Sequence, residues 1–372
     1  MTKKLKVAVL FGGRSGEHDV SLMSARSVLS VLDVNRYEVY QVGITLDGNW
    51  LTGENVLEAF EKNELKDLNR VIPPTEPASR QSVFMVSLTK TGEKLETLSA
   101  IDVFFPVLHG PFGEDGTIQG LFELADVAYV GAGVAGSSVG MDKAIFKDVM
   151  RANNIPIVDS ILALRNEIEN NIDEVIAKAE AMGEYPFFTK PANLGSSVGI
   201  SKCNSRSDLA EGLMDAARYD RRILIEKGVG NVREVEVSVL GNEEPMASVC
   251  GEVLPSREFY SYESKYIDGT SGLIIPSQLP NEITEKIREY AIRAYKAIDC
   301  AGMARADFFV EVGTGKIYIN ELNTLPGFTS ISMYPKLWQA SGLTYAELVD
   351  KLIELALQRK KQRDNTERRR TA

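Results

Sequence analysis

Residues 6–13, KVAVLFGG, hold five consecutive apolar residues followed by two glycines. A short apolar run that ends in glycine is typical of a buried β-strand. A helix-like segment at 21–33 follows, then an alternating strand at 37–45 and an apolar strand at 100–110. Alternating strands and helices predict an α/β fold with a parallel sheet in this part of the chain. The polar stretch at 72–98 is predicted to be an excursion or a short antiparallel edge.

Two loops follow these strands, GGRSGE (12–17) and HGPFGEDG (109–116). Ligands of open parallel sheets bind outside the carboxyl ends of the strands, so both loops are candidate binding loops. Glu17, His18 and His109 lie in or beside them. Each histidine could equally be a structural group. Because the chain has two histidines and three widely spaced cysteines, a zinc site is nearly excluded.

The composition is that of a globular protein. The 372 residues correspond to two or three domains at roughly 150 residues each. Hydrophobic residues make up 44% and charged residues 25%, which excludes a globally disordered or collagen-like chain. No apolar run approaches the ~18 residues of a membrane span, and the first run is too short for a signal peptide. We therefore expect a cytoplasmic protein with reduced thiols and no membrane partner.

The charge is unevenly distributed. The formal net charge is −10, which argues against a nucleic-acid partner. Residues 358–372 carry seven lysines and arginines against two acidic residues, a net charge of +5 attached to a body of −15. Such a charge run is predicted to be a disordered, solvated tail. Its removal is expected to leave the activity of the protein intact.

Residues 305–323, RADFFVEVGTGKIYINELN, read as two alternating strands around a Gly-Thr-Gly turn, a hairpin signal. A hairpin centred on its threonine pairs Asp307 with Glu321 and Arg305 with Asn323. A period of two places all four on one face. Carboxylate and amide oxygens suit Mg²⁺, and a guanidinium suits a negative intermediate. The alternative is a surface hairpin with a cross-strand ion pair, which the surrounding apolar residues disfavour.

A Gly/Ser-rich loop at 193–199, NLGSSVG, follows a strand signal at 185–192 that contains Lys190. Backbone N–H groups of such a loop can cradle phosphate oxygens, and the lysine adds positive charge. The loop does not match the Walker pattern, and a plain turn is the alternative. The helix signal at 142–153 precedes this strand, and Asp142 is its predicted N-cap.

Two further segments bear on function. Residues 131–136, GAGVAG, match the GxGxxG of dinucleotide-binding proteins, but no acid-terminated strand follows ~20 residues later. A domain-linking loop is therefore favoured over an NAD site. Residues 255–274 form a long polar, tyrosine-rich stretch, which is typical of a lid or binding loop.

Several long motifs resemble those of the D-alanine–D-alanine ligases of the ATP-grasp superfamily, in the same order. They are GGRSGEHDVSL (12–22), HGPFGEDGTIQG (109–120), GSSVGMDK (136–143), TKPANLGSSVGISK (189–202), YESKY (262–266), RADFFV (305–310) and NELNTLPGFTS (320–330). The resemblance covers about residues 5–357. It implies an α/β fold of the α+β ATP-grasp type, with a Rossmann-like N-terminal domain and two ATP-grasp subdomains.

The implied domains follow from the motif positions. They are 1–132 with the first D-alanine site, 133–224 with the phosphate loop, 225–357 with the lid, metal and oxyanion sites, and the tail at 358–372. The implied reaction joins two D-alanines through a D-alanyl phosphate formed from ATP, for peptidoglycan precursor synthesis. A homodimer is also implied, and a monovalent cation near the ATP site stays open.

The resemblance assigns roles to single residues. For substrates it implies Glu17 at the first D-alanine's ammonium, His109 with Glu114 and Asp115 beside it, and Ser332 and Met333 at the second D-alanine's carboxylate. For ATP it implies Lys143, Lys190, Ser197, Glu226, Lys227, Val229, Glu234 and Lys265. For two Mg²⁺ ions, which Mn²⁺ could replace, it implies Asp307, Glu321 and Asn323. As catalytic residues it implies Glu17, Ser196, Tyr266, Arg305 and the N–H of Gly327.

Three alternatives remain. A D-alanine–D-lactate ligase performs the same chemistry with a hydroxy-acid acceptor, and Tyr266 favours the dipeptide because relatives that make the depsipeptide tend to carry Phe there. An NAD-dependent dehydrogenase would use GAGVAG. A non-catalytic nucleotide-binding protein on the same fold would not need the lysine, carboxylate and arginine set that this chain carries.

Overall fold

The computed structural model describes residues 3–77, 82–89, 92–195, 198–254, 272–329 and 331–367. The first of its three sheets has the strand order β6-β5-β4-β3-β2-β1-β7. Strand β1 pairs in parallel with β2 and β7, and the other pairs are antiparallel. The strands are β1 Leu5–Gly12, β2 Tyr37–Ile44, β3 Trp50–Thr52, β4 Asn69–Ile72, β5 Ser82–Thr89, β6 Gly92–Ala100 and β7 Val103–Pro106.

The predicted parallel sheet is therefore confirmed for β2-β1-β7 alone. The antiparallel edge expected at 72–98 is present, but its outer strands of eight and nine residues are not short. Strand β1 is apolar on both faces because it lies inside the sheet between two neighbours and under helices. The helices of this region are α1 His18–Val31, α2 Val56–Glu61 and α3 Thr117–Leu124.

The second sheet is antiparallel, with the order β10-β9-β11-β8. The predicted N-cap is confirmed, since the Asp142 carboxylate accepts hydrogen bonds from the N–H groups of Ala144 and Ile145. Its elements and the helices before it are α4 Val134–Met141, α5 Lys143–Ala152, β8 Ser160–Leu164, α6 Arg165–Glu180, β9 Phe187–Pro191, β10 Ser201–Cys203, α7 Arg206–Tyr219 and β11 Arg222–Lys227.

The third sheet has the order β14-β13-β12-β15-β16. The boundary predicted between residues 224 and 225 falls inside β11, which pairs with β9 as far as Lys227, so this strand belongs whole to the second sheet. The remaining elements are β12 Val232–Gly241, β13 Met246–Leu254, β14 Gly272–Ile274, α8 Asn281–Ala297, β15 Gly302–Glu311, β16 Ile317–Asn323, α9 Met333–Ala340 and α10 Tyr345–Asp364.

The largest core joins the two ends of the chain. Apolar side chains of β1 and β7 share one buried cluster with Leu348, Leu352 and Ile353 of α10. The Tyr37 hydroxyl also donates a hydrogen bond of 2.7 Å to the Asp350 carboxylate. The last helix is thus part of the N-terminal sheet's core, although it follows the third sheet in sequence.

The end of α10 corrects the prediction for the basic tail. Residues 358–364 are helical, so the disordered tail predicted for 358–372 is wrong for this part. Arg359 donates to the Gly131 carbonyl at 2.5 Å and lies 4.1 Å from the Tyr129 ring centroid. Arg363 donates to Glu123 at 2.5 Å and to the Val127 carbonyl at 2.9 Å. The sequence prediction missed these acceptors because they lie more than 200 residues away.

The glycines of GAGVAG serve packing between segments. Gly131 adopts a φ of 100°, and a Cβ at Gly302 would lie 3.2 Å from its backbone. Gly136 lies on α4, where a Cβ would come within 3.0 Å of the Asp299 carbonyl oxygen. This close approach supports the linking role over the NAD site. No helix in the described ranges has the length and apolar character to cross a membrane.

Candidate active site

A cavity of about 650 Å³ lies between the second and third sheets, and loops of the first region reach its rim. Most of the predicted site residues meet there. Its lining includes Glu17, Glu114, Lys143, Lys190, Glu226, Lys227, Val229, Glu234, Arg305, Asp307, Glu321, Asn323, Gly327, Ser332 and Met333. Ser196, Ser197, Lys265 and Tyr266, with most of the lid at 255–274, lie outside the described residues.

The hairpin of β15 and β16 forms one wall of the cavity. Arg305 pairs with Asn323 and Asp307 with Glu321, as predicted. Beyond Asp307 the register shifts by one residue, so that Phe308 faces Ile319 rather than Asn320. The turn is therefore not centred on Thr314, and a bulge restores the predicted pairs at the site. The four polar side chains face the cavity while the alternate residues are buried.

Arg305 lies between two carboxylates. It donates two hydrogen bonds to Asp307, at 2.7 and 2.6 Å, and its Nε lies 2.9 Å from a Glu236 carboxylate oxygen. Burial would lower the pKa of Arg305, but the charges of Asp307 and Glu236 outweigh it and hold the pKa well above its usual value. The guanidinium is therefore a fixed positive charge at the floor of the cavity.

The donor set fits Mg²⁺ as the hairpin predicts. Asp307, Glu321 and Asn323 offer two carboxylates and an amide oxygen on one strand pair. Within the described residues, no three His, Cys, Asp or Glu side chains form a complete metal site. Such a partial set is characteristic of Mg²⁺, which takes one or two carboxylates and completes its shell with water and phosphate oxygens.

A buried carboxylate with two lysines lies behind the opposite wall. Glu226 of β11 forms salt bridges with Lys190 of β9 and Lys147 of α5. The side chains of Glu226 and Lys147 are 3% exposed, and that of Lys190 is 11% exposed. Burial would raise the pKa of Glu226, but the two ammonium groups lower it to about 2. The carboxylate is thus ionised at neutral pH and can act solely as an acceptor.

The predicted phosphate loop is anchored to α5. Lys143 donates from its Nζ to the Leu194 carbonyl at 2.5 Å, and its N–H donates to the Ala192 carbonyl at 2.8 Å. Lys143 and Lys190 therefore lie at one end of the cavity, beside the described part of the loop. Lys227, Val229 and Glu234 line the cavity further along, as expected for a nucleoside.

Glu17 lies where the first region meets the phosphate loop. Its carboxylate is 9% exposed. A Cβ at Gly110 would lie 2.6 Å from its Oε2, and a Cβ at Gly195 would lie 3.2 Å from the same atom. Gly110 has a φ of 74°, so both backbone conformation and space favour glycine there. Glu17 is thus placed between loops from two parts of the chain.

His109 lies behind the cavity wall rather than in it. Its Nε2 is 3.0 Å from the Ser24 hydroxyl, its Nδ1 is 3.2 Å from the Leu325 carbonyl and 3.7 Å from Glu114. Burial acts to lower the pKa of His109, but Glu114 raises it above its usual value. Burial raises the pKa of Glu114 to about 7. Asp115 accepts from the N–H groups of its own turn and does not reach the cavity lining.

The loop after β16 brings Gly327 to the N-terminus of α9. A Cβ at Gly327 would lie 2.9 Å from the Ser332 hydroxyl oxygen, so the close approach requires glycine. Ser332 precedes the first residue of α9, Met333, and its hydroxyl lies 2.7 Å from that of Thr329. Helix N-termini present free N–H groups and bind carboxylates. This end of the cavity therefore suits the carboxylate expected at Ser332 and Met333.

Sequence reasoning missed two charged residues of the site. Glu236 faces Asp307 across β12 and β15, and its alternation with Glu234 in REVEVSVLGN was the available signal. Lys147 lies four residues after Lys143, the spacing that places two side chains on one helix face. Its partner Glu226 is 79 residues away, so no local pattern indicated the contact.

Two family models match the chain. One, for the D-ala D-ala ligase N-terminus, matches residues 6–132, and one for the D-ala D-ala ligase C-terminus matches residues 149–354. A D-alanine–D-alanine ligase of Acetivibrio thermocellus is 50% identical over 372 residues, which cover 96% of this chain and 97% of that protein. One of Heliobacterium modesticaldum is 49% identical over 370 residues, covering 98% of each.

Solved structures agree with these relatives. The D-alanine-D-alanine ligase of Coxiella burnetii has a TM-score of 0.79 at 33% identity, covering 98% of this chain and 97% of that one. A D-Ala:D-Ser ligase of Enterococcus faecalis has a TM-score of 0.83 at 34% identity, covering 95% of this chain and 100% of that one.

Proposed function

The chain belongs to the D-alanine–D-alanine ligase family, and we propose that its cavity joins two D-alanines with ATP. The γ-phosphoryl group passes to the carboxylate of the first D-alanine, which gives D-alanyl phosphate and ADP. The amine of the second D-alanine attacks the acyl carbon, loses a proton, and expels phosphate. The product is D-alanyl-D-alanine for peptidoglycan synthesis. The meeting of the lysines, the carboxylate pair and Arg305 in one cavity carries this proposal.

The nucleotide would lie along the wall formed by β9, β11 and β12. Lys143 and Lys190 would contact its phosphates, because they are the cations nearest the glycine loop. Glu226 would accept a hydrogen bond from the adenine amino group, and Glu234 would accept from the ribose hydroxyls. We extend the nucleotide site to Ser197 and Lys265 on the family resemblance alone.

The metal would be held by the hairpin wall. Asp307, Glu321 and Asn323 would hold two Mg²⁺ ions, or Mn²⁺, which when bound neutralise charge on the phosphate oxygens. Arg305 keeps the carboxylate of Glu236 as a partner when Asp307 turns to the metal, so it stays at the cavity floor. There it stabilises the negative charge of the acyl intermediates.

The two amino acids would occupy opposite sides of Arg305. Glu17 would bind the ammonium of the first D-alanine, since it is a buried carboxylate at the cavity rim. The N–H of Gly327 would donate to the oxyanion. Ser332 and the N-terminus of α9 would bind the carboxylate of the second D-alanine. His109 would act from behind, through Glu114.

The purified chain with ATP, D-alanine and Mg²⁺ tests the proposal. We expect phosphate release that depends on D-alanine, with D-alanyl-D-alanine identified by mass, and none with L-alanine as the matched control. Release of no phosphate and no dipeptide would contradict it. A mixture of D-alanine, D-serine and D-lactate as acceptors tests specificity. The dipeptide share over the depsipeptide should grow with pH because the amine must lose its proton.

We further propose a cytoplasmic homodimer. ATP and D-alanine availability support the compartment, and the family resemblance supports the dimer. Sedimentation equilibrium tests the dimer, and a mass of one chain at micromolar concentration would contradict it.

A further inference from the structure

We propose that Lys147 is a positioning residue for the nucleotide: it holds Glu226 ionised and in place when Lys190 turns from Glu226 to the phosphates of ATP. This inference rests on the proposed function, because it takes Glu226 as the adenine partner and Lys190 as a phosphate partner. It assigns a role to a buried lysine that does not line the cavity.

The first argument is geometric. Glu226 has two carboxylate oxygens, and the two lysines divide them: Lys147 pairs with Oε1 and Lys190 with Oε2. Lys190 lines the cavity and can reach a ligand in it. Lys147 lies on the far side of the carboxylate, with 2% of its surface exposed, and cannot. Of the two partners, Lys190 alone can change from protein to nucleotide.

The second argument concerns the helix that carries Lys147. The N-terminus of α5 is fixed by the Asp142 cap, and the same carboxylate forms a salt bridge with Arg222 at the start of β11. Strand β11 carries Glu226. Helix α5 and this strand are therefore tied together at one end, and the neighbouring Phe146 is buried in the core. The position of Lys147 relative to Glu226 does not depend on the nucleotide.

The third argument is electrostatic. A buried carboxylate without a cation takes up a proton, because desolvation penalises its charged form. Burial lowers the pKa of Lys147, so this lysine is also a group that needs its partner. If Lys147 is removed, Glu226 must keep Lys190 or become protonated. The first outcome withholds a cation from the phosphates, and the second gives the adenine partner a donor.

Both outcomes change nucleotide recognition. An ionised Glu226 can accept from the 6-amino group of adenine, but it repels the 6-carbonyl oxygen of hypoxanthine. A protonated carboxyl group can donate to that oxygen. We therefore expect loss of Lys147 to weaken ATP binding and to reduce the preference for ATP over ITP.

The variants are Lys147→Met, which removes the charge, and Lys147→Arg, which keeps it. Lys178→Met is the matched control, since Lys178 pairs with Glu174 on an exposed helix face. We expect Lys147→Met to raise the KM for ATP about tenfold or more, the effect of removing a residue that orients a ligand-contacting group. The kcat should change much less. Lys147→Arg should recover part of the KM, and Lys178→Met should leave it unchanged.

Calorimetric titration of the full chain with ATP and ITP gives a readout that needs no turnover. We expect the ATP-to-ITP ratio of affinities to fall in Lys147→Met. An unchanged KM and an unchanged ratio, with a lower Tm, would assign Lys147 to stability alone and overturn the proposal. If the wild-type chain binds ATP but forms no dipeptide, the proposed function fails while this test stands.

A double-mutant cycle covers the case in which Lys147→Met folds poorly. In Glu226→Gln the side chain at 226 is neutral and needs no cation, so the double variant should fold as Glu226→Gln does. The effect of Lys147→Met on ATP binding should disappear in that background. Additive effects of the two substitutions would show that Lys147 acts independently of Glu226 and would overturn the proposal.

Discussion

Arg363→Met should destabilise the chain through the contact of α10 with the N-terminal region. Arg363 is 15% exposed and donates to Glu123 at 2.5 Å, to the Val127 carbonyl at 2.9 Å and to Asp126 at 3.3 Å. Had the tail been disordered, this substitution would have no effect. The structure instead makes it the loss of a partly buried cation shared by two carboxylates.

The magnitude follows from burial. A hydrogen bond to a charged group contributes about 1.5–3 kcal/mol, and an exposed ion pair about 0–1 kcal/mol. Glu123 keeps the Tyr129 hydroxyl, which donates at 2.7 Å, so it is not left without a partner. We therefore expect a loss of about 2 kcal/mol in the free energy of unfolding. That corresponds to a fall in Tm of roughly 3–5 °C.

Thermal and urea unfolding of the full chain measure the effect. Arg151→Met is the matched control, because Arg151 is 55% exposed and pairs with an Asp148 that is 75% exposed. It should change stability by less than about 0.5 kcal/mol. Truncation after residue 357 should cost more than Arg363→Met, since it also removes Arg359 from the Tyr129 ring. Equal, small changes in Arg363→Met and in the control would refute the reasoning and restore the disordered tail.

Three further predictions concern the cavity. Asp307→Asn should lower kcat by about 100-fold or more while the Tm shifts little, because Arg305 keeps its second carboxylate partner; phosphate release and thermal unfolding measure the two, and equal losses would make the hairpin structural. Gly327→Ala should raise the KM for the second D-alanine more than that for ATP, since its Cβ would lie 2.9 Å from the Ser332 hydroxyl, and initial rates at varied D-alanine test this. Burial raises the pKa of Glu114 to about 7, so the folded chain binds the extra proton and loses stability as pH rises from about 4.5 to about 7; Glu114→Gln should flatten that slope in urea unfolding, and an unchanged slope would contradict it.

The hairpin shows how far local patterns reach. Alternation and a Gly-Thr-Gly turn were enough to pair Asp307 with Glu321, because strand register is a short-range property. The bulge near Asn320 was not predictable, since its cause is packing against other strands. The pairing at the site was nevertheless correct, while the register nearer the turn was wrong by one residue.

The parts that the sequence could not provide depend on long-range contacts. The charge run at 358–372 looked like a solvated tail because its partners, Glu123 and Asp126, lie in a distant segment. Lys147 looked like one of many surface lysines for the same reason. The motifs located the candidate site residues along the chain, but the counter-ion of a buried carboxylate becomes visible only in three dimensions.

The shared core of β1, β7 and α10 has a consequence for synthesis of the chain. A nascent chain emerges from its N-terminus, and N-terminal domains commonly fold first. Here the first sheet cannot complete its core until Leu348, Leu352 and Ile353 have been made, more than 330 residues after β1. Closing so long a loop is slow, since non-local contacts form late. The ribosome therefore releases nearly the whole polypeptide before its first strand is fully enclosed, which gives chaperones a defined interval and a defined apolar surface to bind.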